Sequence, residues 1–438
     1  MKKTYLGSKI ICLLLFFSLC NAQKYPVNIV GFIDDLRSMS RHTTSFIQCL
    51  NQNVDIKLIK TRSCNYHDFP AYFEHIINTG IDLTDRILST KTHITGVTVF
   101  TDALWSSWHE YTSQPNNSMV KIAYCVTEGT LIPSEWAAKI NRNFDAIAVP
   151  DSWLVDVYKN SGVTVPIFIL PLVLDLESLL AKPIKQKRNK PFVFGFSGGF
   201  WLRKNHTLLV KAFIEEFGDN PNVMLKMHGR FEGGLKTVLN SFENIKTKNI
   251  TLEYKAFTRQ EYEDFITSLD CYVLISKGEG FSITPREALA AGIPCILSDN
   301  TAHKTICASG YVCAIPSNIP ELFYCSMTRS LLGYDFGCTI FDCTISDVRS
   351  ALRNVYENYK NHLEKAKLGR NWVKQYCIES LKPKYLNLIK PKMVLLGLEN
   401  SITDHYLMTN SITLFNKYQN LCKTIGTIFQ FVESQEAQ

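Results

Sequence analysis

From Lys277 to Asn300 the chain reads KGEGFSITPREALAAGIPCILSDN, and no other stretch constrains the fold as much. The apolar, partly β-branched run before it, residues 271–276, predicts a buried strand. A loop holding Gly278-Glu279-Gly280 follows, then a helix opening at Thr284-Pro285 with Glu287 in its first turn. Such a strand–loop–helix junction aims backbone N–H groups and the positive helix end at one spot, which suits a phosphate. Carboxylates cannot hold that phosphate. They accept hydrogen bonds from hydroxyl groups beside it. A phosphate centre flanked by hydroxyls describes a nucleotide sugar.

Each acid also has a plainer reading. Thr284-Pro285-Arg286-Glu287 fits a capping box, with Thr284 at the N-cap and Glu287 three residues on. Glu279 alone fits a solvated loop acid. A basic partner upstream favours the binding reading. In PFVFGFSGGFWLRKNHTLLVKAF, residues 191–196 predict a strand, Ser197-Gly198-Gly199 a tight loop, and residues 205–213 a helix start. Arg203 and Lys204 sit at the junction. Two cations there can neutralise a diphosphate, Arg as a fork and Lys as a point charge.

Lys204 followed about 75 residues later by Glu-x7-Glu resembles the donor half of a GT-B glycosyltransferase, specifically glycosyltransferase family 4. The likeness spans roughly residues 140–300 and includes NVMLKMHG, NITLEYKAFTRQEYEDFITSLDCYVLIS and EGFSITPREALAAGIPCILSD. It implies that Lys204 and Arg203 grip the leaving diphosphate. It implies that Glu279 contacts the transferred sugar and Glu287 the ribose, and that the backbone at Gly280, Phe281, Ser282, Ile283 and Thr284 meets the phosphates. Many members carry a further Arg near the position of Ser197 or Gly198. This chain has none, so either Arg203 substitutes or the phosphates are held less strongly. The resemblance also implies retention of configuration without a metal ion or other cofactor.

The 438 residues predict two to three domains, and 46% apolar with 20% charged residues fits a globular enzyme. A net charge of +7 is too mild to argue for nucleic acid. Much of the excess lies in a basic run, residues 182–190, read as a solvated linker, or as a peripheral contact with an anionic membrane. Residues 1–22 carry a basic start, an apolar core of about eleven residues and Ala22, the pattern of a signal peptide or signal-anchor. The chain is thus expected to be exported or membrane-associated, on the cytoplasmic face if the leader stays as an anchor. Of 14 cysteines, five fall between Cys307 and Cys343, a density that suggests disulfides if the chain is oxidised. No CxxC pair or Asp-x-Asp cluster predicts a metal site. Glycosylation sequons stand at Asn116, Asn205 and Asn249.

Alternating strands and helices predict two Rossmann-like, doubly wound α/β domains facing a cleft. Residues 25–175 form the acceptor domain, with strands near 27–32, 55–59, 97–100, 121–125, 143–150 and 166–171. Residues 176–345 form the donor domain, with an insertion at about 306–343. Closing helices (346–393) and an extension (394–438) follow. In the extension Leu414, Tyr418, Leu421, Ile425, Ile428 and Val432 recur at near-heptad spacing. The first loop carries Ser38-Met39-Ser40 where relatives often have glycines. Asp102, His109 and Glu128 fall in loops after strands of the first domain, where acceptor groups would sit, with Trp105, Trp108 and Tyr111 nearby. The sequence reads as a retaining hexosyltransferase acting from a UDP- or GDP-hexose on a glycan, lipid or protein acceptor. A nucleotide-sugar epimerase and an exported, non-catalytic carbohydrate-binding protein are the alternatives.

Overall fold

The computed structural model describes residues 26–31, 40–51, 53–60, 94–101, 116–229, 248–325 and 332–389. The chain divides into a unit Met1–Leu386 and a second unit Asn387–Gln438. The leader, Asp102, His109, Trp105, Trp108, Tyr111 and the near-heptad stretch lie outside the described residues. No described helix is long and apolar enough to cross a membrane.

Two six-stranded parallel sheets carry the first unit. The first holds β1 (Pro26–Gly31), β2 (Asp55–Lys60), β3 (Ile94–Phe100), β4 (Asn116–Tyr124), β5 (Ala146–Val149) and β6 (Ile167–Ile169), in the order β2-β1-β3-β4-β5-β6. The second holds β7 (Phe192–Ser197), β8 (Val223–Gly229), β9 (Ile250–Tyr254), β10 (Cys271–Leu274), β11 (Cys295–Asp299) and β12 (Cys313–Pro316), in the order β12-β11-β10-β7-β8-β9. Parallel strands need crossovers that cover both faces, so central strands are apolar throughout rather than alternating. Every residue of β5, β7 and β10 is buried. These are the expected doubly wound domains.

Each strand order reverses once, between β1 and β3 and between β7 and β10. Open α/β sheets bind ligands outside the carboxyl ends of the strands at such a reversal. In the second sheet those ends deliver residues 198–204 and 275–282, which hold the predicted cations and acids. Topology alone therefore brings Lys204 and Glu279 to one crevice.

The stretch read as an insertion has two parts. Up to Pro316 it belongs to the second sheet, with β12 pairing in parallel along β11. Beyond that, β13 (Ile319–Cys325) and β14 (Phe336–Asp342) form a separate antiparallel hairpin. The hairpin docks on the loop after β4, where Thr130 N–H donates to Thr339 O at 3.1 Å. Further along the same side, the Tyr334 hydroxyl donates to Glu135 at 2.7 Å. Closing helices follow, and the helix Ile378–Ile389 returns to the first sheet. Its Tyr385 packs edge-on against Phe46 at 4.8 Å and donates to Pro171 O at 2.9 Å.

The basic run is not a solvated linker throughout. Lys185 donates to the Ser268 and Leu269 carbonyls and pairs with Asp270 at 3.3 Å. Lys182 pairs with Glu263, and the Arg188 guanidinium lies 4.9 Å from the Tyr356 ring centre. These contacts fasten the linker to the second sheet's helices. Cys307, Cys313, Cys338 and Cys343 are free thiols, and burial pushes the Cys343 thiol up to about 11.

Three buried histidines give the fold a pH signature. Burial lowers His42 and His303 to about 4 and His206 to about 3. The unfolded chain takes up these protons near pH 6.5. Between pH 6.5 and about 4 it therefore binds more protons than the folded chain, and stability falls as pH falls. The urea midpoint should drop steadily across that window, each histidine adding up to about 1.4 kcal/mol per pH unit. A flat midpoint from pH 7 to 4.5 would contradict this.

Candidate active site

Glu279 sits in the crevice, its side chain 6% exposed, between two cations. Lys204 Nζ lies 2.5 Å from its Oε1 and Arg203 Nη1 3.1 Å from the same oxygen. Burial raises the Glu279 carboxyl, but Lys204 and Arg203 outweigh it and hold the group down at about 2. Burial pushes Lys204 down, opposed by Glu279. The main chain reinforces the knot. Arg203 O accepts from Lys277 N–H at 2.8 Å and from the Ser276 hydroxyl at 3.1 Å, while Arg203 Nη1 donates to Gly278 O at 2.7 Å. The loops after β7 and β10 are thus stitched together through backbone and side chain.

Glu287 is not a helix cap. The helix runs Ile283–Ala290, two residues earlier than the capping box requires, and its N-cap is Ser282 with no side-chain cap bond. Thr284 lies inside the helix, its hydroxyl 2.7 Å from Tyr272 OH, which donates to Ser197 O at 2.9 Å. Glu287 points inward. Tyr262 OH donates to it at 2.6 Å, Arg41 pairs with it at 3.1 Å and Arg259 at 3.7 Å. A capping box of Thr258 and Glu261 starts the helix Arg259–Ser268, whose inner face delivers Arg259 and Tyr262. Arg41 comes from the helix Ser40–Leu50 beside the first sheet.

Three non-glycine residues among those described have positive φ, and all stand around this crevice: Asn205 (61°), Ser282 (64°) and Thr301 (41°). Such backbone costs roughly 1–3 kcal/mol each and persists where surroundings over-determine it. Here each side chain is held. Asn205 Nδ2 donates to Asp342 at 2.6 Å, and Thr301 Oγ1 accepts Glu279 N–H at 2.9 Å. Ser282 Oγ lies 2.7 Å from His303 Nε2. His303 Nδ1 lies 3.0 Å from Ser298 O, which can only accept, so Nδ1 carries the proton and Nε2 accepts from Ser282.

The two sheets' loops meet tightly here. A Cβ on Gly278 would lie 2.4 Å from Glu128 O, and one on Gly280 2.3 Å from Val126 Cγ2. Only glycine permits that approach. The Glu128 carboxylate lies 2.7 Å from Arg203 Nη2. Fully buried Arg286 reaches Asp151, after β5, at 3.4 Å, and its guanidinium lies 4.0 and 4.6 Å from the ring centres of Phe281 and Tyr376. Arg286 also donates to the Phe281 and Ser282 carbonyls.

The structure therefore brings together Lys204, Arg203, Glu279, Glu128, Glu287 and the 280–284 loop. Gly280, Phe281 and Ser282 are buried, while Ile283 and Thr284 are half-exposed at the helix start. Sequence reasoning missed Arg41, Asp151, Arg259, Tyr262 and His303. Arg259 and Tyr262 lay within the motif-bearing run at i,i+3 spacing, a signal that one helix face was in use; the others carried no local signal. Among the described residues no cluster of three or more His, Cys, Asp or Glu could hold a metal ion.

Residues 180–322 match the family model described as Glycosyl transferases group 1. They form a group 1 glycosyltransferase domain. The fold as a whole is GT-B. TarM superposes with a TM-score of 0.52 at 12% identity, over 73% of this chain and 57% of that one. HepE of Anabaena, solved in complex with UDP-glucose, gives 0.54 at 8% identity over 83% of this chain and 99% of its own. Sucrose-phosphate synthase of Thermosynechococcus elongatus gives 0.58 at 12% identity over 83% and 98%. Identities this low speak for the fold. No curated protein matches the chain. In the group 1 domain, Lys204, Glu279 and Glu287 occupy the crevice that the strand reversal creates.

Two outcomes follow from this geometry. Glu279 titrates near 2 when folded and near 4.5 when free, so its contribution is full above pH 4.5 and is lost as pH falls toward 2. Glu279→Gln should flatten the acid limb of stability below pH 4.5 in chemical denaturation. Asn205 is buried against Asp342, and Asn249 donates to Gly218 O at 3.0 Å. After expression through a glycosylating lumen, peptide mass spectrometry should find both sequons unmodified; an occupied Asn205 on folded protein would contradict the site.

Proposed function

We propose that this protein is a retaining hexosyltransferase that takes its sugar from a nucleotide-sugar donor. One observation carries the reading. Two adjacent cations and an acid 75 or more residues further along the chain converge where strand order reverses in the group 1 domain, ahead of a helix that carries a second buried acid, Glu287. When the bond between sugar and diphosphate breaks, negative charge grows on the diphosphate oxygens. Lys204, Arg203 and the amides opening the helix Ile283–Ala290 are positioned to stabilise that charge in a site largely closed to water. Glu279 offers lone pairs to the sugar hydroxyls. Glu287, beside Tyr262 and the arginines, offers them to the ribose. Because the cations already lie in place, little reorganisation is needed during the reaction.

UDP-hexose is the leading donor class, since HepE was solved with UDP-glucose and a pneumococcal O-GlcNAc transferase of the same fold with UDP and GlcNAc. The acceptor is a glycan, lipid or protein hydroxyl brought to the first sheet's side of the crevice. Membrane association through the leader and the exposed part of the basic run, Lys187 and Lys190, would bring a lipid-linked acceptor within reach.

A thermal-shift panel of nucleotide sugars tests the reading, because a donor that binds the folded state raises the midpoint by mass action. At least one UDP- or GDP-hexose should do so, and its slow hydrolysis should fall about 10²-fold or more in Lys204→Ala and in Glu279→Gln with folding intact. Hydrolysis unaffected by both substitutions would sink the proposal. Donor epimerised in the absence of acceptor would favour an epimerase instead.

A further inference from the structure

Glu128 has no role in the reaction just proposed, yet its carboxylate holds a group that the donor needs. Glu128 Oε1 lies 2.7 Å from Arg203 Nη2, while Arg203 Nη1 serves Gly278 O and Glu279. The four charged groups Arg203, Lys204, Glu279 and Glu128 sum to zero. A nucleoside diphosphate entering this neutral cluster meets a competing anion at its best fork. Bidentate phosphate recognition by Arg203 requires the Nη2 edge that Glu128 occupies.

The two carboxylates around Arg203 are not equivalent. Glu279 is sealed in, 6% exposed, bonded to both cations and fixed through its main chain to Thr301 and Ala302. Glu128 is 28% exposed at the rim. Its backbone is pinned, because Gly278 packs against its carbonyl and Thr130 bonds to Thr339. Its side chain is held among the described residues by Arg203. One anion is built in and the other is exchangeable.

The geometry points to Glu128 as a placeholder for the donor diphosphate. Its carboxylate keeps Arg203 paired until the diphosphate takes the guanidinium, and it is then released into the crevice as a hydrogen-bond acceptor for an incoming hydroxyl. The inference rests on the nucleotide-sugar reading. Its physical logic is that an unpaired, largely buried cation is costly. Exchanging one anion for another keeps Arg203 compensated before and after donor binding. Once Glu128 has left, the three remaining groups sum to +1 and favour the diphosphate. The order of binding follows: the donor enters first, and its arrival exposes the carboxylate that receives the acceptor.

A purely structural role, in which Glu128 and Arg203 strut two loops together, gives the opposite result on substitution. The test is calorimetric titration of wild type and Glu128→Gln with UDP and GDP, and with the corresponding nucleosides. Whichever diphosphate binds the wild type should bind Glu128→Gln about tenfold more tightly, since a competing like charge is removed. The nucleoside, lacking phosphates, should bind both alike. Glu321→Gln, which alters the charge paired with Lys277 on the hairpin, should leave the diphosphate affinity unchanged. Unchanged or weakened diphosphate binding in Glu128→Gln overturns the placeholder role. A second measurement uses the unsubstituted protein. Carbodiimide and glycine ethyl ester should label Glu128 more when the diphosphate is saturating than without it, read by peptide mass spectrometry. Equal or lower labelling overturns the release. If neither UDP nor GDP binds the wild type, the donor reading itself fails; if one binds and Glu128→Gln does not tighten it, this inference alone fails.

Discussion

A carboxylate withdrawn from water must be compensated on the spot, and Glu279 is compensated by Lys204 and Arg203. Burying an ion costs several kcal/mol even after relaxation, and mutual attraction offsets this only with close geometry and additional hydrogen bonds. That requirement fixes where the loop after β7 and the loop after β10 can lie. The bonds from the Lys277 N–H and the Ser276 hydroxyl to Arg203 O repeat the constraint in a second form. The crevice at the strand reversal is therefore not simply left over between two sheets. Its walls are drawn in by the charges that give it a chemistry.

Backbone strain gathers at the same place. Asn205, Ser282 and Thr301 take left-handed or near-left-handed conformations that non-glycine residues disfavour, and each side chain is tied to a different neighbour. Ser282 depends on His303, and His303 depends on burial to stay neutral and accept the Ser282 proton. With Ser282 in this conformation the helix Ile283–Ala290 begins two residues ahead of the capping-box position. A charged His303 would lose its acceptor nitrogen and with it the hold on Ser282. A residue far from any reacting atom thus takes part in shaping the anion site.

Much of this architecture was legible in the chain. Runs such as FVFGFS and CYVL, apolar without alternation, read as central parallel strands because both faces are covered, and both are fully buried. The pairing of Lys204 with Glu279 was legible because each follows such a strand, so the topology had to juxtapose them. Glu287 was found for its type and spacing, but the capping alternative failed for a reason that spacing cannot show: Ser282 adopts φ 64° and moves the helix start. Arg41 and Asp151 were not legible. They meet Glu287 and Arg286 across separations of 246 and 135 residues, and nothing local marks a residue whose partner arrives from the other sheet. The division of residues 306–343 between an edge strand and a hairpin was hidden for the same reason, since edge pairing is decided by the neighbouring strand.

The distribution of rigidity around the site bears on how such an enzyme works. Arg286 is bonded to Asp151 and the Phe281 and Ser282 carbonyls and lies against two aromatic rings, so the loop that would face the phosphates is anchored to the first sheet's side. Gly278 and Gly280 press the same loop against residues 126–128. Donors aimed at a developing charge are most effective when they need not move as it forms. Here the amides, Lys204 and Glu279 meet that condition. The ion pairs that span the loops at the rim, Arg203 with Glu128 and Arg41 with Glu287, involve side chains that are partly exposed on at least one partner. Adjustment to a ligand is thereby confined to long side chains that can trade one anion or hydroxyl for another, while the backbone beneath them holds its shape.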